Sequence, residues 1–301
     1  MAARSVNEQS NFRRSISREL WGFFFIAPFL IFYLVFEAYP MLYAIYLSFF
    51  DYGIGKSEWI GVQNYLSLFN DAIFIKSTYN TFAFVIGAIP LTLAFALFVA
   101  TMVIRMSRAA ASFFRAAFYL PIVTSSVILS ITWAWIYQPV NGVANYVLSF
   151  VNLKPVMWLS DTAIALPSLI VILVTWIVGQ PIILFLAAIG NIPPTYFEAA
   201  QIDGASGGRQ FWHITLPLLK PTTLYVILTV TIGAFQTFAI VQLMTAGGPN
   251  YATSTIMYLL YATAFQYGDL GKASAMGVIL AIMISAVSVI QFKLLKTDIE
   301  Y

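Results

Sequence analysis

Few residues in this 301-residue chain could carry covalent chemistry. There is no cysteine, so no disulfide, thiolate metal site or cysteine nucleophile can form. His213 is the single histidine, which is a poor basis for a histidine metal cluster or a Ser–His–Asp relay. No G-x-x-x-x-G-K-S/T phosphate loop occurs. What remains is a set of neutral polar side chains embedded in apolar runs: Thr124, Ser125, Ser126 and Thr132, then Thr175 and Gln180, then Gln236 and Thr237. Trp133, Trp135, Trp176 and Phe235 stand among them. Hydroxyls and amides supply hydrogen bonds, and aromatic rings supply flat apolar faces, so the combination suits a neutral, polyhydroxylated ligand. The same side chains also serve as glue between membrane helices, and both readings stay open.

Composition dictates the elements that must position these groups. The chain is 60% hydrophobic and 9% charged, against about 25% charged in soluble domains. That excludes a soluble enzyme and a disordered or nucleic-acid-binding chain; an all-α integral membrane protein is expected. Six runs approach or exceed the roughly 20 apolar residues needed to cross a bilayer: residues 21–49, 81–104, 116–137, 163–189, 222–244 and 273–292. Residues 1–20 form a polar arm, too long for a cleavable signal and followed by no small-residue cleavage site. With that arm inside, eleven of the fifteen lysines and arginines fall on the inner side, so both termini are expected in the cytoplasm. The segment from Arg105 to Arg115, with three arginines and no acid, is the clearest marker.

Proline and glycine punctuate the runs at Pro28, Pro90, Pro121, Pro167 and Pro181, and at Gly87, Gly179, Gly233 and Gly277. Such breaks suit helices that line a pathway or bend, although both residues are also simply common in membrane helices. Ion-coupled transporters carry ionisable groups at mid-membrane. Here only Glu37 intrudes, one turn before Pro40, and it is expected near the outer interface. Neither a filter sequence nor an arginine-rich voltage sensor is present. Solute movement by this chain therefore needs energy from elsewhere.

One loop differs from the rest, running from Asn191 to Pro217. A helix is expected after Pro193–Pro194, with Thr195 and Glu198 spaced as a capping box. Tyr196, Phe197, Ala200 and Ile202 give it a partly apolar surface; Gly204, Gly207 and Gly208 should break it. A second short helix is expected from Arg209 towards Leu216, ending at Pro217. Two short helices on the cytoplasmic face make a docking knob for a soluble partner. His213 in the second helix is expected to pack or face solvent. Asn64 to Phe69, in the first outer loop, reads as an amphipathic interfacial helix.

Glu198-Ala199-Ala200, then Gly204, then Ile214-x-Leu216-Pro217 resembles the EAA loop of ABC importer permeases at every defined position. Asp203-Gly204-Ala205 and Leu216-Pro217-Leu218-Leu219-Lys220-Pro221 resemble the carbohydrate-uptake branch. So do Gly247-Gly248-Pro249, Tyr261-x-x-Ala264-Phe265 and the opening run with Pro28, Tyr39–Pro40 and Ser48-Phe49. The extra N-terminal helices and large outer loop of enteric maltose-type permeases have no counterpart here.

The resemblance implies a type I ABC importer permease: a six-transmembrane-helix bundle over residues 21–292, with a cytoplasmic EAA coupling loop at 190–221 and a cytoplasmic tail at 293–301. It implies a bacterial or archaeal cell membrane, a second homologous permease, two ATPase subunits that bind ATP and Mg, and an extracytoplasmic solute-binding protein. This chain itself would hold no catalytic residue, metal or cofactor. Glu198, Ala199, Ala200, Asp203, Gly204, Ile214, Leu216 and Pro217 would form the ATPase-coupling set. Ser126, Thr175, Gly179, Gln236 and Thr237 would line the pathway for a sugar or oligosaccharide. Glycerol phosphate or a polyol remains an alternative within the family, and a stand-alone secondary transporter outside it.

Overall fold

The computed structural model describes residues 24–295. The expected arm at 1–20 lies outside the described residues, as does the tail beyond Leu295. Among the described residues three helices are long and apolar enough to cross a membrane unbroken: α1 (Phe24–Leu47), α3 (Ala72–Val103) and α14 (Leu270–Leu295). Three bent pairs raise the number to as many as six where each pair counts as one broken span: α4 (Arg108–Val123) with α5 (Ser126–Ile136), α7 (Ala165–Ile177) with α8 (Gly179–Gly190), and α10 (Gly207–Leu218) with α11 (Lys220–Phe235). Shorter helices are α2 (Gln63–Phe69), α6 (Val143–Ser149), α9 (Pro194–Ile202), α12 (Ala239–Met244) and α13 (Ile256–Gln266).

Several expectations change. The third run is no single span, because its helices meet at 103° about Thr124, whose backbone is extended. The fifth run stops at Phe235 and restarts as α12. Pro40 does not interrupt α1. A widened turn at Leu34–Ala38, closed by Tyr39 N–H to the Leu34 carbonyl, precedes it, and the helix runs on to Leu47. Glu37 therefore lies ten residues, about 15 Å at 1.5 Å per residue, from that helix end.

The fold also contains a two-stranded antiparallel hairpin, β1 (Phe50–Gly53) with β2 (Lys56–Trp59), which departs from an all-α fold. Its backbone lies directly on the start of α14. A Cβ at Gly271 would collide with the Phe50 carbonyl, and Gly53 bridges to Asp269. Asn64 donates 2.9 Å bonds to the carbonyls of Ser48 and Phe50. Asn64 and Leu68 are buried, so one face of α2 packs on the bundle while Leu66 and Phe69 stay exposed, the two-sided character expected of an amphipathic helix.

The core forms where α3 lies between α8 and α11, with α14 against α11. Phe84, Phe185, Phe235 and Met276 are among the largest fully buried side chains there. At the hairpin end, polar groups staple α3 to the segment before α13. Ser77 and Ser254 hydroxyls are 2.8 Å apart, Asn80 donates to the carbonyls of Tyr251 and Ser254, and Ile256 N–H donates to Thr81 Oγ1. The two hydroxyls, the Asn80 amide donors and the Ile256 N–H are thus all paired, which burial in lipid or protein favours.

Asp71 closes that end. Its carboxylate accepts from the backbone N–H groups of Ile73 and Phe74 and pairs with Lys272 Nζ at 2.9 Å. Burial pushes its pKa up, but the Lys272 ammonium and the two backbone donors outweigh it and hold the group below the ordinary carboxylate range. The stabilisation is therefore fully present above about pH 4, the unfolded value, and is lost as pH falls through the depressed folded value. Asp71→Ala should destabilise the detergent-solubilised protein by about 1–2 kcal/mol at neutral pH, the worth of a helix cap plus a charge-assisted bond. Thermal melts against pH check this: the gap between wild type and variant should close only in the acid range.

Candidate functional site

At the end opposite the hairpin, α8 finishes at Gly190 and Pro193–Pro194 opens α9. Proline fits there because the first helical N–H has no partner to lose. The expected capping box is not formed: the helix begins at Pro194, which puts Thr195 inside the first turn, and the cap carries no side-chain bond. The Glu198 carboxylate is exposed and makes no hydrogen bond or ion pair among the described residues. Ala199 is exposed and Ala200 half-buried.

The stop at Gly204 is formed as expected. Gly204 has φ +74°, a left-handed conformation that favours glycine. Around it Ala205 N–H reaches the Ala200 carbonyl at 2.8 Å, and Gly204 N–H reaches Gln201 at 3.0 Å, the paired closure of a Schellman motif. Asp203 is the last turn before it, and Gln210 Nε2 ties the next helix back to the Ala205 carbonyl at 3.0 Å. Gly207 and Gly208 do not break the chain; they start α10. Nor does Pro217 end that helix. A widened turn at Phe211–Thr215, containing the half-buried Ile214, lets Leu216 and the N–H-less Pro217 continue it to Leu218. His213 is exposed, its Nδ1 within 3.0 Å of the Arg209 carbonyl.

No residue from Pro194 to Gln210 is buried. Phe197 and Phe211, with Glu198 and Arg105, line a cavity of about 1320 Å³ between this helix pair and the end of α3. On the knob, Ile202 is 88% exposed and Trp212 64%. The helix pair thus presents a bare isoleucine at its tip. In sequence Ile202 is one residue of an apolar face; its place two residues before the left-handed Gly204 makes it the tip.

The second site lies inside the bundle, where helices break. A cavity of about 670 Å³ is lined by Trp176, Gly233, Gln236, Thr237, Phe238, Met257 and Leu280, among others, and no charged side chain lines it. Trp176 Nε1 is buried without a partner, and the exposed Gln236 amide makes no bond among the described residues. The break between α11 and α12 is satisfied locally, since Thr255 Oγ1 donates to the Thr237 carbonyl at 3.0 Å and Thr237 Oγ1 to Gly233 at 3.2 Å. The structure thus brings Gln236 and Thr237 together with Trp176. Thr175 adjoins it, but its hydroxyl turns back to the Ile172 carbonyl at 2.8 Å. Ser126 starts α5 beyond the 103° bend and does not line this cavity. Gly179 is buried against the backbone of α4, where a Cβ would collide with the Phe118 carbonyl.

Two glycine substitutions should separate packing from knob geometry. Gly179→Val meets rigid backbone and should abolish a monodisperse size-exclusion peak in detergent. At Gly204 a Cβ meets nothing within 4 Å, so Gly204→Val carries only the backbone strain of about 1–2 kcal/mol. Its peak should persist, while protease nicking near residue 204 accelerates.

Residues 92–299 match the family described as the binding-protein-dependent transport system inner membrane component. Over 295 residues the chain is 36% identical to the probable ABC transporter permease protein YesP of Bacillus subtilis (strain 168), covering 96% of this chain and 94% of that protein. It is 32% identical over 298 residues to the arabinooligosaccharides transport system permease protein AraP of the same organism, covering 96% and 93%. The fold matches a chain of the bacterial alginate ABC transporter crystallised with an alginate pentasaccharide-bound periplasmic protein, at TM-score 0.80 and 23% identity, covering 95% of this chain and 99% of that one. A bundle of bent and straight membrane helices, an exposed EAA-type knob and these similarities agree: the chain belongs to the inner membrane components of binding-protein-dependent transport systems.

Proposed function

We propose that this chain forms one half of the translocation pathway of an ATP-driven importer for a neutral sugar or oligosaccharide, without catalysing a reaction itself. The observation that carries this reading is the bare α9–α10 knob, a handle with no motor in its own chain. Arg105, Arg108, Arg115, Arg209, Lys220 and Lys293 at the knob's end of the bundle support placing that end in the cytoplasm. Two ATPase subunits, binding ATP and Mg, would grip the knob there. Glu198 and Ala199 would face the ATPase and Ala200 the bundle. Asp203 and Gly204 would set the tip, with Ile214, Leu216 and Pro217 carrying the return into α11. A second homologous permease would close the pathway, and a solute-binding protein would deliver at the hairpin end. The periplasmic protein seen with the alginate transporter supports that last partner.

The uncharged walls of the Trp176 cavity favour a neutral solute. A phosphate or uronate calls for a lysine or arginine, and none lines this cavity. The amide of Gln236 offers a donor–acceptor pair to sugar hydroxyls, while Phe238 and the indole ring of Trp176 offer flat faces.

Proteoliposomes carrying the complete transporter test this directly. Uptake of a neutral oligosaccharide should require ATP, the binding protein and both permeases, and glycerol phosphate should not compete. Gln236→Leu keeps the side-chain bulk and removes the amide, so it should raise the half-saturation concentration roughly tenfold, the effect of about 1.4 kcal/mol. Uptake by this chain alone, without ATP, would overturn the reading.

A further inference from the structure

The cavity between the knob and the end of α3 has two unlike parts. From Ala94 to Met102 its wall follows a membrane-crossing helix for eight residues, about 12 Å at 1.5 Å per residue. Leu97, Phe98 and Met102 make that wall apolar, and the last two are exposed. Phe197 of α9 and Phe211 of α10 face the same space from the knob. Just past the last turn of α3 the lining becomes polar, with Arg105, Glu198 and Gln201.

The polar part is unsatisfied. Arg105 and Glu198 line one cavity without pairing to each other, and neither side chain makes a hydrogen bond or ion pair among the described residues. Gln201 has a free amide in the same sense. Thr215 is the sharper case, because it lines the cavity at only 6% exposure and its hydroxyl has no partner among the described residues. A buried hydroxyl in this condition calls for a partner from outside the chain. A guanidinium and a carboxylate held apart fit a ligand that carries both signs of charge. A small soluble zwitterion would leave the apolar arm empty, whereas a lipid fills both parts at once.

We propose that this cavity holds one phospholipid with an ammonium-bearing headgroup. Its phosphate pairs with Arg105, its ammonium with Glu198, and Gln201 and Thr215 meet the remaining oxygens, while an acyl chain lies along Leu97, Phe98 and Met102. The site rests on the reading above for one point: with the knob's end in the cytoplasm, the lipid comes from the inner leaflet. Glu198 is exposed as well as lining the cavity, so it borders both the headgroup and the surface offered to the ATPase. Such a lipid fills the joint between handle and bundle, in contact with Phe197 on one side and α3 on the other.

Native mass spectrometry of the intact transporter in a delipidating detergent tests this. Offered phosphatidylethanolamine and phosphatidylglycerol in equal amounts, the wild type should retain the first at least fivefold better. Arg105→Gln should cut that retention at least fivefold. Met102→Trp, which fills the apolar arm and leaves every charge in place, should do the same. Glu198→Gln should abolish the preference for phosphatidylethanolamine, and soluble phosphoethanolamine should not compete. Size-exclusion profiles of the assembled variants control for folding. With Phe98 replaced by benzoylphenylalanine, irradiation should give an adduct of phospholipid mass. Unchanged retention in Arg105→Gln, a wild-type preference for phosphatidylglycerol, displacement by phosphoethanolamine, or a cross-link to protein in place of lipid overturns the proposal. ATP-dependent uptake reports separately on the importer reading. If uptake needs ATP while no lipid is retained, the lipid site alone is wrong; if this chain transports alone without ATP, the importer reading falls and retention still decides the site.

Discussion

Within a bilayer every backbone N–H and C=O must find a partner in the protein or in enclosed water, and this constraint organises the whole molecule. A helix can break only where something else meets the freed groups. The chain breaks repeatedly inside its apolar runs, and polar side chains are found at two of the breaks. Ser125 accepts from Val127 N–H and Thr124 Oγ1 donates to the Leu120 carbonyl at the α4–α5 bend. Thr255 Oγ1 meets the Thr237 carbonyl between α11 and α12. Where α12 meets α5 and α7, the broken ends are gathered on one side of the α3–α11 core. Irregular backbone, an unpaired indole N–H and a free amide thus share one neighbourhood, and that is where a polar solute can be held in an otherwise apolar body.

Proline is handled by a related device. Two widened turns each end one residue short of a proline that stays within its helix: Leu34–Ala38 before Pro40, and Phe211–Thr215 before Pro217. A turn with one extra residue shifts the bonding register, so a residue without an N–H can follow without ending the helix. In the second case the result is mechanical continuity. The knob runs through Leu216 and Pro217 to a 67° bend and then into α11, whose far end forms the cavity wall at Gly233 and Gln236. A push on the knob therefore has a helical route to the cavity, through paired backbone rather than flexible loop.

The sequence made the spans legible because lipid enforces a composition that soluble proteins cannot carry, and the EAA spacing marked the loop. It could not show the bends, since Thr124, Val178 and Gln236 sit in runs apolar enough to pass as unbroken helices. The hairpin was hidden because its strands are four residues long and their periodicity is too short to read. The Thr195–Glu198 spacing misled for a physical reason: Pro194 is better suited to the first helical position than Thr195 is to the cap, so the helix starts two residues earlier. Of the residues expected along a pathway, Gln236 and Thr237 line the cavity, whereas Gly179 packs backbone against backbone. A glycine in an apolar run reads the same either way, and only the neighbouring helix distinguishes them.

The account centres on force entering the bundle through the exposed tip beside Gly204. The most direct measurement is of the ATPase stoichiometry and substrate-stimulated ATP hydrolysis of the assembled transporter carrying Ile202→Asp, a change that puts a charge on a side chain 88% exposed in this chain. The account predicts that the variant keeps its partner permease, loses the bound ATPase on this side and no longer responds to loaded binding protein. A variant that retains both the ATPase and full stimulated hydrolysis would contradict it.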